Sequence, residues 1–207
     1  MRLTPSEIVV LRGTSFAKEA VIEPWSEPVV GGGKASSEEL THAAIMAALL
    51  ANRSVGLVQL TLGADPGGTH AMQAWVSRTR DIHPEAWPEP SLESHIARFA
   101  GPAPRTVYDA ITAWQSRIWR ALIWQATPHQ IKRYLVLRGV ILADDGADDA
   151  PGISYPCHLS PEMAGALSQV PVEPVQHMLH TCKTHEPELW RYLDRGIWLW
   201  GQMGVPS

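Results

Sequence analysis

The sequence predicts a mainly helical protein with short β-hairpins, an α+β fold of winged-helix-like type. Two stretches carry the prediction, because each reads as a capped helix that ends near a glycine and continues into a strand; they are residues 36–62 and 127–142. We expect one compact domain over residues 1–207, with three internal units. These units are a helix and hairpin at 36–80, helices and a hairpin at 106–159, and a C-terminal helical pair at 172–204.

The first unit opens with a capping box, in which Ser36 accepts a hydrogen bond from the Glu39 amide and Glu39 reaches back to the Ser36 amide. Leucines and alanines at helical spacing then predict one narrow apolar face. This face consists of Leu40, Ala43, Ala44, Ala47, Leu50 and Ala51. A strand over 57–62 follows, and 71–78 fits either its returning strand or a short helix. Ahead of the unit, residues 6–11 (SEIVVL) predict a short strand.

The second unit contains the longest helical pattern, Thr106 to Gln125. A further helix is predicted to begin after Thr127 as its N-cap, with Pro128 in the first helical position. Gly139 stands where a left-handed residue commonly ends a helix. A hairpin near 139–158 then closes the unit.

Between Asp109 and Asp144 the chain has no acidic residue but several basic ones. Helical phase places them beside a tryptophan and a histidine, so we predict one exposed basic-aromatic surface that binds an anionic ligand. Its residues are Arg117, Arg120, Trp124, His129, Lys132 and Arg133. The competing interpretation is an ordinary solvated face whose arginines pair with acidic residues elsewhere.

Two C-terminal helices are predicted, over 174–184 and 187–203. In the second helix an apolar stripe faces inward, made of Leu189, Leu193, Ile197 and Trp200. Trp198 lies on the opposite side with Arg191 and Arg195, so it is predicted to be an exposed anchor for another protein, a membrane surface or a second copy of the chain. The alternative is that an earlier loop covers its ring.

No motif in the sequence supports catalysis, so we predict a protein that is not an enzyme and that uses no cofactor. His177 and His180 would project away from Cys182 on a regular helix, which argues against a shared metal ion. Cys157 and His158 are neighbours in a predicted strand and would point to opposite faces, which argues against a nucleophile–base pair.

The composition is that of an ordinary globular protein, with 45% hydrophobic residues, 18% charged residues and a net charge of −4. The longest uninterrupted apolar run, 43–51, is too short to cross a bilayer. Arg2 and Glu7 interrupt any signal-peptide core. We therefore expect a cytoplasmic protein, with peripheral attachment to a membrane as an open option.

Five segments in order resemble the bacterial relatives of the Golgi phosphoprotein 3 family. They are LTPSEIVVL, the alanine-rich helix running into VGLVQLTL, then SLESHIARF, RTVYDAI and YLVLRGVIL. The resemblance covers about residues 3–160. It implies a winged-helix-like, mainly helical, non-enzymatic domain that binds phosphoinositide headgroups at a membrane surface. No individual lipid-contact residue of that family is carried over to this sequence.

Three functions follow from these patterns. The first is a binding or adaptor protein whose basic-aromatic surface takes an anionic membrane headgroup or an acidic partner. The second is a winged-helix DNA-binding regulator with residues 128–138 as its recognition helix; the negative net charge and the acidic turn at 144–149 weigh against it. The third is a protein–protein scaffold without a charged ligand, with self-association through the C-terminal helix.

Overall fold

The structure, a computed structural model, describes residues 2–20, 26–30, 32–64, 71–79, 86–114, 123–145 and 155–203. Its helices are α1 (Pro5–Leu11), α2 (Ser37–Ser54), α3 (Leu92–Phe99), α4 (Val107–Trp114), α5 (Ile123–Leu137), α6 (Pro161–Ser168), α7 (Glu173–His185) and α8 (Pro187–Met203). Its strands are β1 (Ser26–Pro28), β2 (Lys34–Ser36), β3 (Val58–Ala64), β4 (Met72–Arg78), β5 (Arg105–Thr106), β6 (Leu142–Ala143) and β7 (Cys157–His158). The prediction of a mainly helical α+β protein with short hairpins is confirmed.

Helix α2 is the centre of the fold, because α1, α3, α5, α7 and α8 all contact it. Its residues from Ala44 to Asn52 are all buried, so the predicted single apolar face is wrong. The small alanines explain this arrangement, since short side chains let several helices approach one axis. Ser36 is the N-cap and accepts from the Glu39 amide at 3.4 Å. The Glu39 carboxylate instead accepts from the Lys18 amide at 2.8 Å, so only half of the predicted capping box forms.

Helix α1 replaces the strand that was predicted over residues 6–11, and that prediction is wrong. Thr4 and Glu7 form a capping box: the Thr4 hydroxyl accepts from the Glu7 amide at 3.4 Å, and Glu7 Oε2 accepts from the Thr4 amide at 2.9 Å. Pro5 occupies the first helical position, where its missing N–H costs nothing. These start signals outweigh the strand propensity of the following Ile8-Val9-Val10 run.

Both predicted helix-to-strand joins are confirmed. After α2, Gly56 adopts φ +70° and the chain enters β3, which pairs antiparallel with β4 from Val58↔Arg78 to Ala64↔Met72. Residues 71–78 therefore hold the returning strand rather than a helix. After α5, Gly139 adopts φ +68°, and β6 and β7 pair over two residues each.

Helix α5 begins at Ile123, so the predicted start after Thr127 is wrong and Pro128 lies inside the helix. Proline has no N–H, so Pro128 cannot donate the helical hydrogen bond to the carbonyl oxygen of Trp124, four residues earlier. The Thr41 hydroxyl on α2 donates to that carbonyl instead. Pro128 thus marks a polar contact between the two helices and not a helix start.

The C-terminal pair forms α7 and α8, as the sequence predicted. The inward stripe of α8 is confirmed, because Leu189, Leu193, Ile197 and Trp200 are all buried. No helix in the described part of the chain is long and apolar enough to cross a membrane.

Candidate functional site

Two described members of the predicted basic-aromatic surface, Lys132 and Trp124, are buried. Lys132 is only 2% exposed, and its ammonium pairs with the buried carboxylate of Glu27. Trp124 is also buried; it stacks on His42 at 5.1 Å, and a Cβ on Gly201 would come within 1.9 Å of its ring. The prediction that an exposed patch includes Lys132 and Trp124 is therefore wrong.

His129 and Arg133, the other members of that surface that the structure describes, do not restore it. His129 is half-buried beside the Tyr155 ring at 5.2 Å, and burial, with the charges of Lys132 and Arg133, lowers the pKa of its imidazole. Arg133 is exposed. Arg117 and Arg120 lie outside the described residues. The β1–β2 hairpin brings Glu27 onto α5 from 105 positions away, so helical phase alone could not reveal this partner.

A buried acidic cluster, absent from the sequence interpretation, joins α1, α3 and α5. Glu93 accepts from the Ser6 amide and the Ser6 hydroxyl, both at 2.8 Å. Glu7 pairs with Arg138. Burial raises the pKa of Glu7 to about 7, although the Thr4 amide and Arg138 act in the opposite direction. The two carboxyl groups are 1% and 0% exposed, so they stabilise the packing of the helices rather than present a binding surface.

A groove of about 420 Å³ opens between α2, α7 and α8, and we call it the tryptophan groove. Its lining residues come from the loop before α2 and from the three helices. They are Phe16, Glu38, Glu39, His42, Ala43, Met46, Leu179, Lys183, Trp190, Asp194 and Trp198.

Two helical stripes make the walls of the tryptophan groove. On α8, Trp190, Asp194 and Trp198 recur every four residues and so share one face. On α2, Glu38 and His42 have the same spacing. Trp198 is 46% exposed, which confirms the predicted exposure of its ring. The spacing of tryptophan and aspartate on α8 is a signal from which the sequence could have indicated this face.

His42 connects the two walls. Its Nδ1 lies 3.0 Å from Asp194 Oδ1, and its Nε2 is buried with no hydrogen-bond partner in the described part of the chain. At this distance Nδ1 can donate a hydrogen bond to the Asp194 carboxylate. Because Nε2 is closed off from solvent, this imidazole is poorly placed to act as a general base on a ligand in the groove.

The polar lining of the tryptophan groove is mainly acidic. Glu38 is exposed and forms no ion pair with a described residue, and the Asp194 side chain is 50% exposed. Glu39 pairs with Lys18 at 3.3 Å. Lys183, the one lysine or arginine among the described lining residues, places its ammonium 5.8 Å from the centroid of the Trp190 ring.

The arginines predicted to share an interface with Trp198 are exposed but do not line the tryptophan groove. Arg191 is exposed, pairs with Glu188 at 2.8 Å and lies over the Tyr192 ring at 4.8 Å. Arg195 is exposed and lines a separate cleft of about 110 Å³. All three residues are exposed on α8, and of them only Trp198 lines the tryptophan groove, so the shared interface stays a prediction.

The remaining candidate groups do not converge. His177 and His180 are exposed on α7 whereas Cys182 is buried, and no three potential metal ligands meet in the described ranges. Burial raises the pKa of the Cys157 thiol, which disfavours the reactive thiolate.

Comparison with known proteins gives no match: no family model, no curated protein and no solved structure is significantly similar to this chain. The resemblance to the Golgi phosphoprotein 3 family therefore stays a prediction from the sequence.

Proposed function

We propose that this protein is a non-enzymatic binding protein that takes up a segment of a partner protein in the tryptophan groove. The observation that carries the proposal is Trp198, whose ring is 46% exposed beside the half-buried Trp190. Covering the exposed part of such a ring gains about 2–3 kcal/mol from apolar area alone. A tryptophan at a concave surface is also typical of the residues that dominate binding energy at protein interfaces.

The geometry gives less support to the other functions predicted from the sequence. A phosphoinositide headgroup or DNA needs a cationic surface, and the burial of Lys132 removes a central residue of the surface proposed for both ligands. An enzyme needs a nucleophile or base that reaches its substrate, and in His42 Nε2 is buried while Nδ1 lies within hydrogen-bond distance of Asp194. Binding through apolar and acidic groups remains the function that the groove supports best.

The test is a selection of binding peptides from a displayed random library, followed by affinity measurements on three proteins. We expect Trp198→Ala to weaken the selected peptides by about tenfold or more, equivalent to about 1.4 kcal/mol. The matched control is Leu137→Ala, because Leu137 is 67% exposed at the end of α5 and does not line the tryptophan groove. Both variants should keep the thermal stability of the parent. Selected peptides that bind Trp198→Ala as tightly as the parent would refute the proposed function.

A further inference from the structure

We infer that the segment bound in the tryptophan groove presents a lysine or arginine side chain, whose cationic head lies at Glu38 and Asp194 and whose aliphatic stem lies along Trp198. The inference rests on the proposed function, because it names the chemistry of the partner that the groove takes up.

The charge of the groove supports a cationic ligand. Among its described lining residues, three carboxylates stand against the ammonium of Lys183, and one of the three, Glu39, pairs with Lys18 from outside the lining. Asp194 uses Oδ1 for His42, which leaves Oδ2 to accept from a ligand. Glu38 lies one helical turn from His42 and forms no ion pair with a described residue, so within the described part of the chain its carboxylate has no counter-charge. A basic side chain would supply that charge, whereas an acidic one would be repelled.

The tryptophans support the same ligand. Lys183 already lies over the Trp190 ring at 5.8 Å, so one end of the groove holds a cation against an indole face. Trp198, two turns further along α8, has no cation over its ring in the ranges that the structure describes. Lysine and arginine have long aliphatic stems that pack on apolar surface while the head stays at a polar edge. Phe16 and Leu179, both half-buried, provide such a surface within the same groove.

The experiment uses three labelled peptides of equal length, in which leucine alternates with lysine, with glutamine or with glutamate. Binding to the full chain is followed by fluorescence anisotropy at low and at moderate salt. We expect the lysine peptide to bind at least about fivefold more tightly than the glutamine peptide, to weaken as salt rises, and to outcompete the glutamate peptide.

Two near-isosteric variants locate the contact. Asp194→Asn keeps an oxygen for His42 and Glu38→Gln keeps the shape of an exposed side chain, so thermal unfolding should change little. We expect each to weaken the lysine peptide by about threefold or more while leaving the glutamine peptide unchanged. Glu162→Gln on α6 removes the same charge outside the groove and should have no effect.

The outcomes separate the two proposals. If lysine and glutamine peptides bind equally and both lose affinity in Trp198→Ala, the proposed function stands and the cationic ligand is refuted. If no peptide depends on Trp198, the proposed function fails with it. Binding to phosphatidylserine vesicles through Trp198, or self-association that Trp198→Ala abolishes in sedimentation, would replace the basic segment by a membrane or a second copy and refute the inference.

Discussion

The contact between Thr41 and the Trp124 carbonyl provides a direct test of how α2 and α5 pack. Thr41 is completely buried, and its hydroxyl donates to a carbonyl that Pro128 cannot bond. Thr41→Val keeps the branched shape but removes the donor. We expect the Trp124 carbonyl to lose its hydrogen-bond donor, because Pro128 has no N–H that could replace the hydroxyl.

The magnitude follows from the cost of leaving a buried polar group without a hydrogen bond, about 1–3 kcal/mol. In a Pro128→Ala background, the new backbone N–H can bond the Trp124 carbonyl along the helix. Thr41→Val should then cost about 1 kcal/mol less than it does in the parent, so the two substitutions are coupled through a single oxygen atom.

Urea unfolding of the parent, the two single variants and the double variant measures this coupling. Tryptophan fluorescence reports the transition, and an unchanged m-value shows that the same surface unfolds in each protein. Equal costs of Thr41→Val in the two backgrounds would refute the role assigned to Pro128. A cost below about 0.5 kcal/mol in the parent would refute the importance of the hydrogen bond itself.

Two further predictions concern pH and backbone conformation. Burial raises the pKa of Glu7 to about 7 from its ordinary 4.5, so its contribution to stability is complete below pH 4.5 and lost as pH rises through 7. In Glu7→Gln, the free energy of unfolding should change less between pH 5 and pH 8 than it does in the parent, by up to about 3 kcal/mol. An equal change in the parent and the variant would contradict this. Gly139→Ala should lower stability by about 1 kcal/mol because φ is +68°. Gly165→Ala, in α6 with open space for a Cβ, should raise stability by about 0.5–1 kcal/mol. The unfolding temperatures of the two glycine variants, measured by calorimetry, should therefore shift in opposite directions, and shifts of the same sign would contradict the prediction.

Local signals predicted the start of α2 and the glycine that follows α5. Ser36 caps α2 through the next turn, and Gly56 and Gly139 adopt the left-handed conformation that their positions indicated. These features depend on residues within one or two turns of each other, which a sequence displays directly. The start of α1 has the same local character, since Thr4 and Glu7 form a capping box that the sequence also contains.

Long-range partners could not be predicted in the same way. Lys132 has the helical phase of a solvated residue, but Glu27 reaches it from 105 positions earlier and the pair is buried. The start of α5 was wrong for a related reason. Pro128 is a start signal in an isolated helix, whereas here a hydroxyl from α2 supports the carbonyl that proline leaves without its helical partner.

The tryptophan groove depends both on local helical phase and on long-range contacts. The long-range contacts determine whether we expect its ligand to be cationic or anionic. Helical phase was sufficient to place Trp198 outside the core, because the opposite stripe of α8 is apolar. It also placed Arg191 and Arg195 on the same side as the ring, and the predicted partner was another protein, a membrane surface or a second copy of the chain. In the structure, Trp198 lines the tryptophan groove together with Asp194 on the same helix and with residues of α2 on the opposite wall. The contact between His42 and Asp194, which are 152 positions apart, connects these two helices. Added salt weakens the binding of cationic and anionic ligands alike, so salt dependence alone does not distinguish them. Peptides of the same design that carry opposite charges make that distinction.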